Sequence, residues 1–128
     1  MTTKTARKTV AKIDTGLDYV AILRAAFEQP ASAERISGCG RVYVCISTPG
    51  GIFPTDQQIA EGKAHQAGIK KAATKLGKIF QARSHYGDRN ALYVGYDNAS
   101  GVELGKGTAI VEYLKAQGIT CYRNEHGD

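Results

Sequence analysis

The chain has 128 residues, a formal net charge of +5 and three cysteines, which fits one domain large enough to bury a core without disulfides. Its apolar runs are short and residues 1 to 14 are polar, so we expect no membrane span, no secretion signal and a cytoplasmic location. Cys39, Cys45 and Cys121 are widely spaced and form no CxxC pair, which argues against a disulfide framework and against a zinc site. We therefore expect neither a metal nor a cofactor.

The N-terminal part combines an arm and a helix. Residues 1 to 16 lack aromatic residues and a sustained apolar period, which predicts a disordered basic arm. A single α+β domain is expected over residues 17 to 128. Its first element is a helix predicted from about Leu17 to Gln29, with Thr15 and Asp18 resembling a capping box.

A strand and a long helix follow. The run RVYVCIST, residues 41 to 48, is rich in β-branched and aromatic residues and lies between a glycine and PGG, which predicts a strand. The next helix is predicted to begin at a cap formed by Pro54 and Thr55, with Ile59 and Ile69 on its buried side. This helix is only weakly apolar.

Two strand-like runs, KIFQARSHY and ALYVGYD, are separated only by GDRN at residues 87 to 90. A connection this short permits an antiparallel hairpin and excludes a parallel crossover. A third helix from about Ser100 to Gln117 and a last strand, ITCYRN, complete the chain. The order after the first helix is therefore β, α, β, β, α, β.

This order predicts the fold. It is the order of the ferredoxin-like split βαβ arrangement, in which the first and third strands lie side by side at the centre. We expect an α+β protein with a four-stranded antiparallel sheet, two helices on one face and an extra N-terminal helix.

The stretch DNASG follows a predicted strand that ends at Asp97. Together with YLKAQGITCY and the closing HGD, YVGYDNASG resembles the second half of a Toprim domain, the metal-binding fold of primases and topoisomerases. The resemblance implies a metal-dependent phosphoryl-transfer or nucleic-acid-processing enzyme centred on Asp97. The paired second acid of that pattern is missing, because Asn98 follows Asp97.

Helix initiation is the favoured interpretation of the same stretch. Ser100 followed by Glu103 matches an S-x-x-E capping box, which satisfies two backbone amides at a helix start. Asp97 is then expected near the positive end of the helix dipole. We assign no catalytic residue and no metal ligand.

Strand alternation predicts the two faces of the sheet. Val42, Val44 and Ile46 share one face, which should meet the two helices, and Tyr43 lies on the other. The residues expected on this second face are Tyr43, Tyr93 and Tyr122, with Arg83 or His85 at the edge.

The placement is similar to that of the RRM family, whose central strands present aromatic rings to single-stranded RNA, and it implies a base-stacking surface. Two alternatives stay open, because the N-terminal helix or a second copy in a homodimer could cover this face.

Lysines concentrate in the second helix and the segment that follows it. We expect these residues to contact phosphates, with a merely solvated helix face as the alternative. They are Lys63, Lys70, Lys71, Lys75 and Lys78.

These patterns predict a small, basic, non-enzymatic protein that binds single-stranded nucleic acid or a nucleoprotein, in the manner of accessory proteins of phages and mobile elements. The alternatives are the enzyme centred on Asp97 and a protein–protein interaction module or inhibitor.

Overall fold

The computed structural model describes residues 12 to 34 and 39 to 127. Within these ranges the chain forms a four-stranded antiparallel sheet and three helices, which is an α+β architecture. In chain order the elements are α1 (Tyr19–Phe27), β1 (Gly40–Ile46), α2 (Asp56–Leu76), β2 (Phe80–Arg83), β3 (Arg89–Asp97), α3 (Val102–Ala116) and β4 (Cys121–Gly127). Most of the predicted arm, residues 1 to 11, lies outside the described residues.

The strand order is β2-β3-β1-β4, and each neighbouring pair is antiparallel. β1 and β3 are therefore the central strands. β2 and β3 form the hairpin that the short connection predicts, but the turn spans residues 84 to 88 and not 87 to 90. The reason is local, because the Ser84 hydroxyl accepts hydrogen bonds from the amides of Tyr86 and Asp88, which closes the turn early.

The helices begin and end at recognisable caps. Thr55 and Gln58 form a reciprocal capping box at the start of α2, and Gly77 ends it in the left-handed conformation with a φ of 71°. α1 starts later than Leu17, because the Asp18 carboxylate accepts the amide of Ala21 and makes Asp18 the N-cap. Among the described residues, no helix has the length and apolar character needed to cross a membrane.

One hydrophobic core joins all three helices to one face of the sheet. Leu23 of α1, Ile69 of α2 and Leu114 of α3 are fully buried against Val44 and Leu92 of the central strands. α1 lies in the helix layer, where it contacts α2 and α3. It therefore does not cover the opposite face of the sheet, which excludes the first alternative considered for that face.

A β-bulge divides β3. Val42 pairs with Gly95 while the next residue, Tyr43, pairs with Tyr93, so Val94 is an extra residue without a partner on β1. After the bulge, each side chain of β3 lies on the face of the sheet opposite to the one that simple alternation predicts. Tyr96 consequently pairs with Arg41, on the same face as Tyr43, and the side chain of the following residue turns toward the helices.

Candidate nucleic-acid interface

Tyr43 and Tyr93 lie side by side on the sheet face away from the helices. They are cross-strand partners, and their ring centroids are 5.4 Å apart. Tyr43 is nevertheless only 4% exposed and packs in a small second cluster with Cys45 and Ala91. The ring of Tyr43 is therefore a packed residue and not an open stacking surface.

The cover over Tyr43 is the β2–β3 loop, which we define as residues 84 to 88. Its Tyr86 ring stacks on His126 of β4, with centroids 4.2 Å apart and planes 7° from parallel. The same ring meets Tyr43 edge-on at 6.5 Å. Arg41 of β1 donates a hydrogen bond to the Tyr86 hydroxyl at 2.8 Å. The loop thus folds back across the central strands.

Asp88 anchors this loop to β4. One carboxylate oxygen accepts a hydrogen bond from the Asn124 amide at 2.7 Å, and the other lies 2.5 Å from Nε2 of His126. The buried Ser84 hydroxyl also lies within 3.4 Å of the second oxygen. Charge-assisted contacts of this kind are the strong ones among hydrogen bonds. Asp88 therefore fixes both the loop and the imidazole ring.

The environment sets the protonation of several groups here. Burial raises the pKa of Tyr43 and of Tyr122, so both phenols stay neutral at physiological pH. The hydrogen bond to Tyr86 raises the pKa of Arg41, whose guanidinium stays charged. Burial raises the pKa of Cys45 to about 11, so that thiol stays protonated and unreactive.

Two arginines face each other at the hairpin. Arg83 of β2 and Arg89 of β3 are cross-strand partners, and both are exposed. Neither forms an ion pair with any residue that the structure describes. Like charges placed opposite each other destabilise a sheet, and an anion bound between them would offset the repulsion.

The remaining predicted residues of this face are accessible. Tyr122 is 48% exposed and lies opposite Cys45 at the start of β4. His85 is exposed and its ring meets Tyr86 edge-on. The structure therefore gathers Tyr43, Tyr93, Tyr122, Arg83 and His85 on or beside one side of the sheet.

The predicted lysines lie elsewhere. α2 packs on the helix side of the sheet, so its cations point away from the tyrosines. All five are exposed, and none forms an ion pair within the described ranges. Lys63 and Lys71 border a groove of about 510 Å³ together with Lys12, and Lys78 lies 4.2 Å above the Phe27 ring. The other two are Lys70 and Lys75.

Asp97 caps α3. It is 1% exposed, and its oxygens accept hydrogen bonds from the amides of Ser100, Gly101 and Leu104 at 2.9 to 3.1 Å. The predicted Ser100–Glu103 capping box is wrong. The helix begins at Val102 after a left-handed Gly101 and has no side-chain cap at that residue. Asp97 supplies the acceptor instead, because the bulge in β3 turns it toward the helix layer.

The surroundings of Asp97 give no support to a metal centre. Among residues 12 to 34 and 39 to 127, no group of three or more His, Cys, Asp or Glu side chains is placed to hold an ion. Several oxygen ligands are needed for Mg²⁺, whereas the Asp97 oxygens are already engaged by backbone amides.

Sequence reasoning missed six residues of the candidate interface, namely Arg41, Tyr86, Asp88, Arg89, Tyr96 and His126. One signal was present, because strand alternation already places Arg41 on the same face as Tyr43. The contacts of Asp88 with β4 join residues far apart in the chain and leave no local pattern.

No protein-family model matches the chain, and neither curated proteins nor solved structures yield a match.

Proposed function

We propose that this protein binds single-stranded nucleic acid on the sheet side that carries Arg41, Arg83 and Arg89. The observation that carries the proposal is the cross-strand pair of Arg83 and Arg89, two exposed cations at paired positions of neighbouring strands. A phosphate between them would convert a repulsive pair into an attractive site. A polynucleotide supplies such anions at regular intervals.

Exposed rings on the same side favour a single strand over a duplex. Tyr86, Tyr96 and Tyr122 are 37%, 39% and 48% exposed. Base stacking on an aromatic ring contributes about 1 to 3 kcal/mol per base, and only unpaired bases can reach such rings. The role proposed for Tyr43 and Tyr93 is different, because Tyr43 is buried beneath the loop and Tyr93 is half-buried beside it.

We further infer that the scaffold is of the ferredoxin-like type. The order β2-β3-β1-β4, the antiparallel pairs and the packing of α2 and α3 on one face support this assignment. The three free thiols support a reducing compartment, and we propose a cytoplasmic location.

The proposal predicts a measurable salt dependence. Binding of a fluorescent single-stranded DNA is measured by anisotropy at several salt concentrations. The double variant Arg83→Gln, Arg89→Gln should bind more weakly and lower the slope of log Kd against log salt by about 0.7, the contribution of the one phosphate that the two arginines share on a single strand.

The matched control is Lys71→Gln, Lys75→Gln, which removes the same charge from the opposite side of the molecule. We expect this variant to keep most of the wild-type slope. The opposite result, with the slope lost in the lysine variant and kept in the arginine variant, would move the binding surface to α2. No binding by the wild-type protein would reject the proposal.

One observation favours the interaction module as a second candidate. Ile52 and Phe53, in the loop between β1 and α2, are 86% and 89% exposed. Two adjacent apolar side chains presented in this way are typical of a protein contact. A nucleoprotein partner could contact both surfaces, its nucleic acid on the arginine side of the sheet and its protein at Ile52 and Phe53.

A further inference from the structure

We propose that the same face cleaves RNA, with His126 as the general base and Arg41 as the cation that binds the reacting phosphate. The inference rests on the proposed function and adds a reaction to it. It starts from the Asp88–His126 pair, an imidazole oriented by a carboxylate beside an exposed guanidinium. This is the base-and-orienter arrangement that general-base catalysis uses.

The hydrogen bond to Asp88 fixes the tautomer of His126. A carboxylate only accepts hydrogen bonds, so Nε2 at 2.5 Å from the Asp88 oxygen carries the proton. In the neutral ring, Nδ1 is then the unprotonated nitrogen and the base. Asn124 and Ser84 hold Asp88 in turn. Asp88 is therefore a positioning residue for His126.

Nδ1 of His126 is not fully buried. Nδ1 has no hydrogen-bond partner among the described residues. Every buried side-chain nitrogen or oxygen of these residues has a hydrogen-bond partner, so Nδ1 is not one of the buried atoms. The side chain as a whole is 22% exposed. The stacked Tyr86 ring and the edge-on Tyr43 ring restrict rotation of the imidazole. The base is thus partly exposed and fixed in direction.

Arg41 lies directly across the sheet from His126. The two residues are cross-strand partners, which places their Cβ atoms about 5 Å apart. One N–H of the exposed Arg41 bonds the Tyr86 hydroxyl, and a guanidinium has four others. Those donors suit a phosphate that lies within reach of the imidazole, where they would stabilise the charge that develops on phosphorus-bound oxygens.

The reaction that fits is an intramolecular transesterification. Nδ1 takes the proton of a ribose 2′-hydroxyl, the 2′-oxygen forms a bond to the adjacent phosphorus, and the bond from phosphorus to the 5′-oxygen breaks. The 5′-oxygen takes a proton from solvent, and His126 returns its proton to solvent. The products are a 2′,3′-cyclic phosphate and a 5′-hydroxyl. No oxidant, reductant or additional reactant is consumed.

The test uses the full chain and a short mixed-sequence single-stranded RNA, with the DNA of the same sequence as an uncleavable analogue. Cleavage is followed in the presence of EDTA, and the RNA products are identified by mass. We expect the wild-type protein to cleave RNA to cyclic-phosphate ends and to bind DNA without cleaving it. His126→Ala and His126→Asn should lower the rate by about 100-fold or more, as loss of a general base does.

Three further variants define the roles. Arg41→Ala should lower the cleavage rate. Asp88→Asn should lower kcat by a larger factor than it raises KM, because it releases the base from its fixed orientation as well as loosening the β2–β3 loop. Glu125→Gln, on the same strand as His126 and facing the other side, is the control and should keep the wild-type rate. Thermal unfolding confirms that each variant is folded at the assay temperature.

The two proposals fail in different ways. A wild-type protein that binds RNA and DNA equally but leaves RNA intact overturns the cleavage inference alone. Equal RNA cleavage by folded His126→Ala and wild-type preparations also overturns it. Absence of binding to either nucleic acid rejects the proposed function and the inference with it.

Discussion

At the scale of single residues, Asp97 carries the clearest link between sequence and structure. Its carboxylate accepts hydrogen bonds from three backbone amides at the start of α3, the role that was predicted for Ser100. Burial alone would raise the pKa of Asp97, but the amides of Gly101, Leu104 and Ser100 outweigh it and lower the pKa below its ordinary value of 3.8. The ionised form is the one that the fold needs.

This pKa gives a pH dependence with a defined sign. A lowered folded-state pKa contributes stability that is present above the ordinary value and is lost as the pH falls through the lowered one. Asp97→Asn should therefore lower the urea midpoint at neutral pH, and the difference from wild type should shrink below about pH 4. Glu112→Gln, which replaces an exposed carboxylate on α3, should change the urea midpoint little at neutral pH.

The Asp97 cap also shows what a single sequence leaves open. The sequence contains an acidic residue, a small-residue turn and a helix, and both Asp97 and Ser100 are acceptable caps. The choice depends on the bulge at Val94, since only the shifted alternation turns Asp97 toward the helices. A bulge has no reliable local signature in this strand, so the cap could not be assigned in advance.

At the scale of secondary-structure elements, the existence and order of the helices and strands were predictable. Apolar spacing predicted α1, α2 and α3, and the short connection predicted the β2–β3 hairpin. Element ends were less accurate, because they depend on side-chain caps such as Asp18 and on turn contacts such as those of Ser84. The path of the hairpin loop depends on contacts with β4 and was not predictable.

The loop over Tyr43 has a measurable energetic consequence. Tyr43→Ala should lower the free energy of unfolding by about 3 to 5 kcal/mol, as truncation of a buried aromatic side chain does. Tyr122→Ala, on the same side but 48% exposed, should cost about 1 kcal/mol or less. Urea unfolding of both variants measures this. Equal small losses would mean that the loop does not hold its place over Tyr43.

At the scale of the whole molecule, α1 belongs to the core. Ile22, Leu23 and Ala26 are buried against residues of the sheet and of the other two helices. The sequence suggested that this helix needed an apolar partner, and two surfaces were available to it. In the structure, α1 packs against the other two helices, and the β2–β3 loop covers the opposite face of the sheet.

A shortened chain that begins at residue 31 should therefore lose cooperative unfolding, because it exposes the apolar surface that α1 covers. The full-length Leu23→Ala variant should be intermediate and cost about 2 to 5 kcal/mol. Circular dichroism during thermal unfolding distinguishes the three chains. A sharp, wild-type-like transition in the shortened chain would show that α1 is dispensable for the fold.

The position of β4 at the margin of the sheet has a consequence for solubility. β4 is an edge strand, so the N–H and C=O groups on its outer side are unpaired within the described sheet. Such an edge can pair with a strand of another molecule. Arg123 and Glu125 alternate with polar residues along this strand. Stacking a second identical strand there would bring charged groups together and require their dehydration. The exposed Glu125 carboxylate therefore opposes growth into a continuous intermolecular sheet at high concentration, because strand addition would dehydrate it.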